Sequence, residues 1–160
     1  MGKVLDTFTN GYAGAISRSV DDVVIPLSNT DTAALDYGVP VVYDAAKTGG
    51  VKFTSDSVAA DFIGITVRSA SKTPSTYGSN VSSYAPGEMM DVLVRGSTVV
   101  PVSGGTPAPG GAVYVVKASG AFSAAAGEDN STVLLTNARF RSAKDKNNQA
   151  EIVLLDRNLQ

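Results

Sequence analysis

The sequence predicts an all-β fold, a barrel or sandwich of about ten short strands. Three observations predict it. Apolar residues come in short bursts rich in Val, Ile, Tyr, Phe and Thr, the residues that fit a pleated, half-buried surface. Gly, Pro, Asp, Asn and Ser fill the gaps between the bursts. No window of about twelve residues carries the apolar period of a helix. At 160 residues the chain has the size of one domain, and it can bury roughly 70% of its unfolded surface without covalent staples.

The elements follow in order. Residues 1–20, "MGKVLDTFTNGYAGAISRSV", set Phe8 and Tyr12 among Gly, Ala, Ser and Thr, and read as an extended arm with aromatic anchors. The β domain is expected over 21–160. Its first strand is expected at 23–27. "NTDTAALDYG" has the composition of one helical turn ended by Gly38. Strands are expected at 39–43 and 51–54, then a second capped turn in "SDSVAADF". In "FIGITVR" strict alternation puts Phe62, Gly64, Thr66 and Arg68 on one face and Ile63, Ile65 and Val67 on the other.

Residues 69–87 form a long Ser/Thr-rich loop carrying Tyr77 and Tyr84. Loops above about twelve residues are commonly functional, and Tyr gives much contact area for little lost entropy. Strands at 90–95, 98–102, 112–117, 133–136, 138–143 and 150–155 complete the fold. In the last, "AEIVLLD", both faces are apolar, so burial on both sides is expected. "ARFRSAK" has one wet face, with Arg139 and Arg141. Two segments echo each other: "GVPVVYDAAKTGGVKF" from Gly38 and "GAVYVVKASGAF" from Gly111 both read as hairpins with similar turn chemistry.

Composition excludes much chemistry. There is no cysteine, so disulfides, zinc–thiolate sites and cysteine nucleophiles are excluded. There is no histidine, which removes the usual general base and the commonest metal ligand. The net charge is −2, from 13 basic and 15 acidic residues scattered along the chain, without the clustered positive face that nucleic acid requires. No apolar run approaches the roughly 20 residues of a membrane span, and no secretory leader pattern opens the sequence.

The remaining motifs fail on context. "SGGTPAPGG" at 103–111 lies between strands, lacks the Lys-Ser or Lys-Thr of a phosphate loop, and loses N–H donors at Pro107 and Pro109. It reads as a stiffened joint. "SASK", Ser69 to Lys72, matches a serine–lysine acyl-transfer motif but runs into Pro74 and not into a helix. Asp21-Asp22 and "GEDN" lack calcium-loop spacing and read as turn residues. No catalytic, metal-binding or cofactor-binding residue is assigned, and no cofactor is expected.

One resemblance is specific in its order. "GYAGAISRS" at 11–19 is followed by "DYGVPVVYD" at 36–44, "DFIGITVRS" at 61–69, "YAPGEMMDVLVRGSTVVPV" at 84–102 and "GGAVYVV" at 110–116. Over about two thirds of the chain this succession resembles the structural cement, or capsid decoration, proteins of tailed bacteriophages. The resemblance implies a compact β-barrel or jelly-roll-like sandwich. It implies a non-enzymatic role on the outer surface of the head, clamping neighbouring major capsid proteins. It further implies synthesis in the host bacterial cytoplasm and a homo-oligomer, trimer ahead of dimer. Neither nucleic acid nor membrane is an expected partner. Phe8, Tyr12, Arg18, Tyr77 and Tyr84 are the candidate partner-binding residues. The alternative is a receptor- or glycan-binding module of a head fibre or appendage; the lack of Trp weighs against it.

Overall fold

A computed structural model describes residues 9–69 and 83–156. Within them lie eleven strands: β1 (Ile16–Ser28), β2 (Leu35–Asp36), β3 (Pro40–Tyr43), β4 (Gly50–Lys52), β5 (Phe62–Val67), β6 (Ser83–Tyr84), β7 (Met89–Gly104), β8 (Ala112–Val116), β9 (Ala121–Ser123), β10 (Thr132–Phe140) and β11 (Gln149–Leu154). Of the barrel and jelly-roll-like alternatives, the chain forms a barrel with additional strands.

The barrel is a closed ring, because β7, β11, β10, β8 and β9 pair in that order and β9 returns to β7. The closing pair is parallel, with Val102 opposite Phe122. Closure leaves no free edge within the ring. Its interior is filled by Val100, Val102, Val113, Val115, Phe122, Leu135, Phe140, Ile152 and Leu154. Val42, Phe53, Phe62 and Ile65 join this cluster from β3, β5 and the residue after β4.

β7 extends beyond the barrel. Its first half pairs with β1 on one edge and β5 on the other, with Leu93 opposite both Val24 and Ile65. β3 and β4 continue this extension. A second core lies here, built from Leu35, Tyr37, Val41, Ile63, Tyr84, Met90, Val92 and Val94.

Sequence expected two strands where β7 is one. Gly96 does not break the strand. At φ +119 it lets the backbone bend where the partner on one edge changes from β5 to β11. Likewise 133–136 and the first half of 138–143 fuse into β10, which ends at Phe140, with a register shift between Leu135 and Arg139 absorbing the irregularity.

The alternation expected for β5 also fails at one point. Val41 faces Gly64 and Val42 faces Phe62, so Ile63 is an extra, bulged residue. Phe62 and Ile65 therefore enter the barrel core while Ile63 enters the second core. Only one face of β11 is fully apolar: Ala150, Ile152 and Leu154 are buried, whereas the other carries Glu151 and Leu155 lies exposed beyond it. The two echoing segments are both hairpins, β3–β4 and β8–β9.

The turn expected in "SDSVAADF" is a short 3-10 segment, Ala59–Asp61, where Asp61 Oδ2 accepts the Val58 N–H at 2.9 Å. "NTDTAALDYG" makes no helix. Asn29 Nδ2 donates to Ala33 O and Tyr84 O, Asn29 Oδ1 accepts the Asp31 N–H, and β2 pairs with β6. Such local side-chain bonds compete with helix formation. The 103–111 joint is pinned to the end of β10, as Gly110 N–H donates to Phe140 O and Phe140 N–H to Gly111 O.

β9 has three residues, and Phe122 is its main stake in the core. Truncating Phe122 to Ala is expected to lower unfolding stability by about 3–5 kcal/mol, read from the midpoint of a urea transition.

Candidate functional site

The part of the N-terminal segment that is described, residues 9–20, is bonded into the body. The boundary expected between residues 20 and 21 falls inside β1, which starts at Ile16. Asn10 Nδ2 donates to Ala143 O at 2.9 Å and Gln149 O at 2.7 Å, and its N–H donates to Asp145 Oδ2 at 2.9 Å. Gly14 N–H donates to Val99 O at 2.8 Å, and Val99 N–H to Ala15 O at 3.0 Å. Arg68 N–H donates to Gly14 O at 2.8 Å.

Two glycines make this approach possible. Gly14 and Gly38 have φ of +73 and +77, a region other residues enter only with strain. A Cβ on Gly14 would lie 2.7 Å from Tyr37 Cβ, and one on Gly38 would lie 3.0 Å from Gly14 N. The seam is backbone against backbone.

Asp145 clasps the start of this segment. Partial burial pushes its carboxyl up. The N–H groups of Gln149, Asn10 and Asn147 pull it further down, so it titrates below the usual carboxylate range.

Arg18 performs a second fastening. Its Nε and Nη2 donate to Glu151 Oε1 and Oε2 at 2.8 and 3.1 Å, and Ser17 Oγ donates to Oε1 at 2.8 Å. Glu151 is buried, so these donors compensate a charge that would otherwise be costly. The Arg18 side chain remains 62% exposed. It lines a groove with Asp21, Asp22, Arg95, Arg141 and Leu155. Here Arg18 faces Ser97 and Val23 faces Arg95, so residues 19–22 stand opposite Gly96 alone, a wide bulge in β1. Asp21 pairs with Arg95.

The aromatic candidates resolve differently. Phe8 and Tyr77 lie outside the described residues. Tyr12 is 58% exposed. Tyr84 is 1% exposed, which corrects its expected role as a contact residue. Its ring fills the second core, its hydroxyl donates to Val67 O at 2.6 Å, and burial pushes its phenol up to about 12.

Tyr12 and Tyr84 nevertheless belong to one cluster. The Arg68 guanidinium carbon lies 5.2 Å from the Tyr12 ring centroid and 5.4 Å from that of Tyr37. Tyr37 meets Tyr84 edge-on at 5.2 Å. Arg68 Nε also donates to Ala13 O at 3.2 Å. The cluster thus joins the N-terminal segment to Arg68, the residue before the 69–87 loop, and to Tyr84 in β6 near the end of that loop. Sequence reading missed Arg68, Tyr37 and Glu151. The available signal for Arg68 was a lone charge closing an otherwise apolar strand beside a long loop.

Chemistry finds little footing. Among the described residues no three Asp or Glu gather to hold a metal ion. Asp129 and Asn130, at φ +51 and +56, are turn residues. Lys72 of the serine–lysine motif lies outside the described residues.

The described residues form a small β-barrel on which one exposed tyrosine, Tyr12, stands against Arg68, with Tyr37 and Tyr84 buried behind it. Residues 3–155 match the family described as "Structural cement protein (E217 gp24/Pam3 gp6)", and the chain belongs to this family of phage structural proteins. Its place is the virion capsid. A solved chain from "The capsid of Myoviridae Phage XM1" has the same fold, with a TM-score of 0.75 and 16% identity, covering 98% of this chain and 97% of that one. No curated protein matches the chain.

Two outcomes are expected. Substituting Gly14 with Ala should cost about 1–3 kcal/mol through φ strain and displacement of the seam. Hydrogen exchange at the Val99 amide should then accelerate more than the global loss explains. Acidification should loosen the Asn10 clasp. Because the folded-state pKa of Asp145 is depressed, its contribution is complete above the unfolded value of about 4 and is lost as pH falls through the folded one. Amide exchange at Asn10, compared between the wild type and Asp145→Asn, checks this: the variant should lack the acid-dependent step.

Proposed function

We propose that this protein binds the outer surface of the phage head and clamps neighbouring major capsid proteins, without catalysing a reaction. The observation that carries the reading is the placement of one residue. Tyr12, on the N-terminal segment that sequence marks as a contact element, stands exposed against Arg68, the residue from which the 69–87 loop follows in sequence. Family membership supports the same reading.

Tyr12 is the anchor at this end. Arg18 adds a partly exposed guanidinium whose inner face is already committed to Glu151. Phe8 precedes the clasped segment in sequence, and Tyr77 lies within the loop that springs from the cluster. Both extend the proposed contact. A rigid body holding prearranged anchors loses little entropy on binding. Many copies on one shell let individually modest contacts act together. The working unit is proposed to be a homo-oligomer, trimer ahead of dimer, which mass in solution decides.

The test is co-sedimentation with shells stripped of decoration protein. Removing residues 2–20 is a poor probe, because it takes the first turns of β1 pairing and the donors to Glu151 with it. Removing residues 2–8, or substituting Tyr12 with Ala, leaves those intact. Tyr12→Ala is expected to weaken shell binding about tenfold or more while the folded barrel persists. Wild-type protein that binds a glycan array and ignores shells would instead point to a receptor-binding module.

A further inference from the structure

Tyr12 stands on a short segment at the surface, where a Tyr side chain would ordinarily sample several rotamers. The surroundings restrict it. Ala15 N–H donates to Tyr12 O at 2.9 Å, closing a tight turn. Gly14 is bonded on both sides, to Val99 and to Arg68. The Arg68 guanidinium lies over the Tyr12 ring, and its Nε holds Ala13 O. Arg68 itself is half-buried at the end of β5 and lies over Tyr37, which is 6% exposed.

We infer that Arg68 is the positioning residue of the contact site: it orders the Tyr12 ring before the capsid is met, transmitting the rigidity of the Tyr37–Tyr84 core to an exposed anchor. The inference rests on the function proposed above. A guanidinium suits this task in a way an ammonium does not. Its plane stacks on rings while an N–H in that plane reaches a carbonyl, and it stays charged at any relevant pH. Arg68 is not proposed to touch the capsid. It sets where Tyr12 points, and so reduces the ordering cost of binding.

A double-mutant cycle on shell affinity tests this, using Arg68→Ala, Arg68→Lys, Tyr12→Ala and the two combinations. Arg68→Ala should weaken binding by about three- to thirtyfold, the range of a cation–π contact. In the Tyr12→Ala background the same change should cost less than about twofold, because the ring to be positioned is gone. Arg68→Lys should fall between wild type and Arg68→Ala. Full additivity, with Arg68→Ala equally harmful whether or not Tyr12 is present, would overturn the inference and make Arg68 an independent contact or a purely structural residue. A second readout uses the free protein. The Arg68 side-chain protons should carry upfield ring-current shifts by NMR that diminish in Tyr12→Ala, and unshifted protons would also overturn it. Wild-type protein that does not bind shells would defeat the functional reading instead, leaving the NMR result to decide the intramolecular half.

Discussion

The hydrogen-bonding capacity of one backbone organises this molecule. β7 offers two edges along its length, and all its N–H and C=O groups must find partners once buried. One edge takes β1 and then, past Pro101, β9; the other takes β5 and then β11. The change of partner at Gly96 divides the protein into a closed barrel and a sheet that extends from it. The two cores share β3 and β5, which give Val42, Phe62 and Ile65 to the barrel core and Val41 and Ile63 to the second.

Much of this was legible. Strand positions followed from short Val- and Ile-rich runs between turn residues, because one propensity and one kind of punctuation agreed throughout. Both echoing segments proved to be hairpins for that reason. Continuity was not legible. Gly96 and Asn137 look like breaks, yet β7 and β10 run through them, since long-range pairing overrides a local preference. Nor was the bulge at Ile63 legible, because nothing in "FIGITVR" marks where an extra residue interrupts the pleat. It is set by the register that β3 imposes.

The candidate site was half legible. The Gly/Ala-rich segment drew attention to Tyr12, which is exposed. Composition could not tell Tyr12 from Tyr84, as both stand in small, polar surroundings in sequence. The difference is topological: Tyr84 belongs to β6, which pairs with β2 over the second core. The 16% identity with a chain of the same fold fits this picture, since the fold depends on register and burial more than on particular side chains.

The Gly14–Gly38 seam separates location from recognition. The crossing at Gly14 is a contact of main chain with main chain, whereas Asn10, Ser17 and Arg18 fasten the same segment through their side chains. A change at Tyr12 therefore leaves that crossing in place, as long as two residues without side chains are kept where the backbone passes over itself.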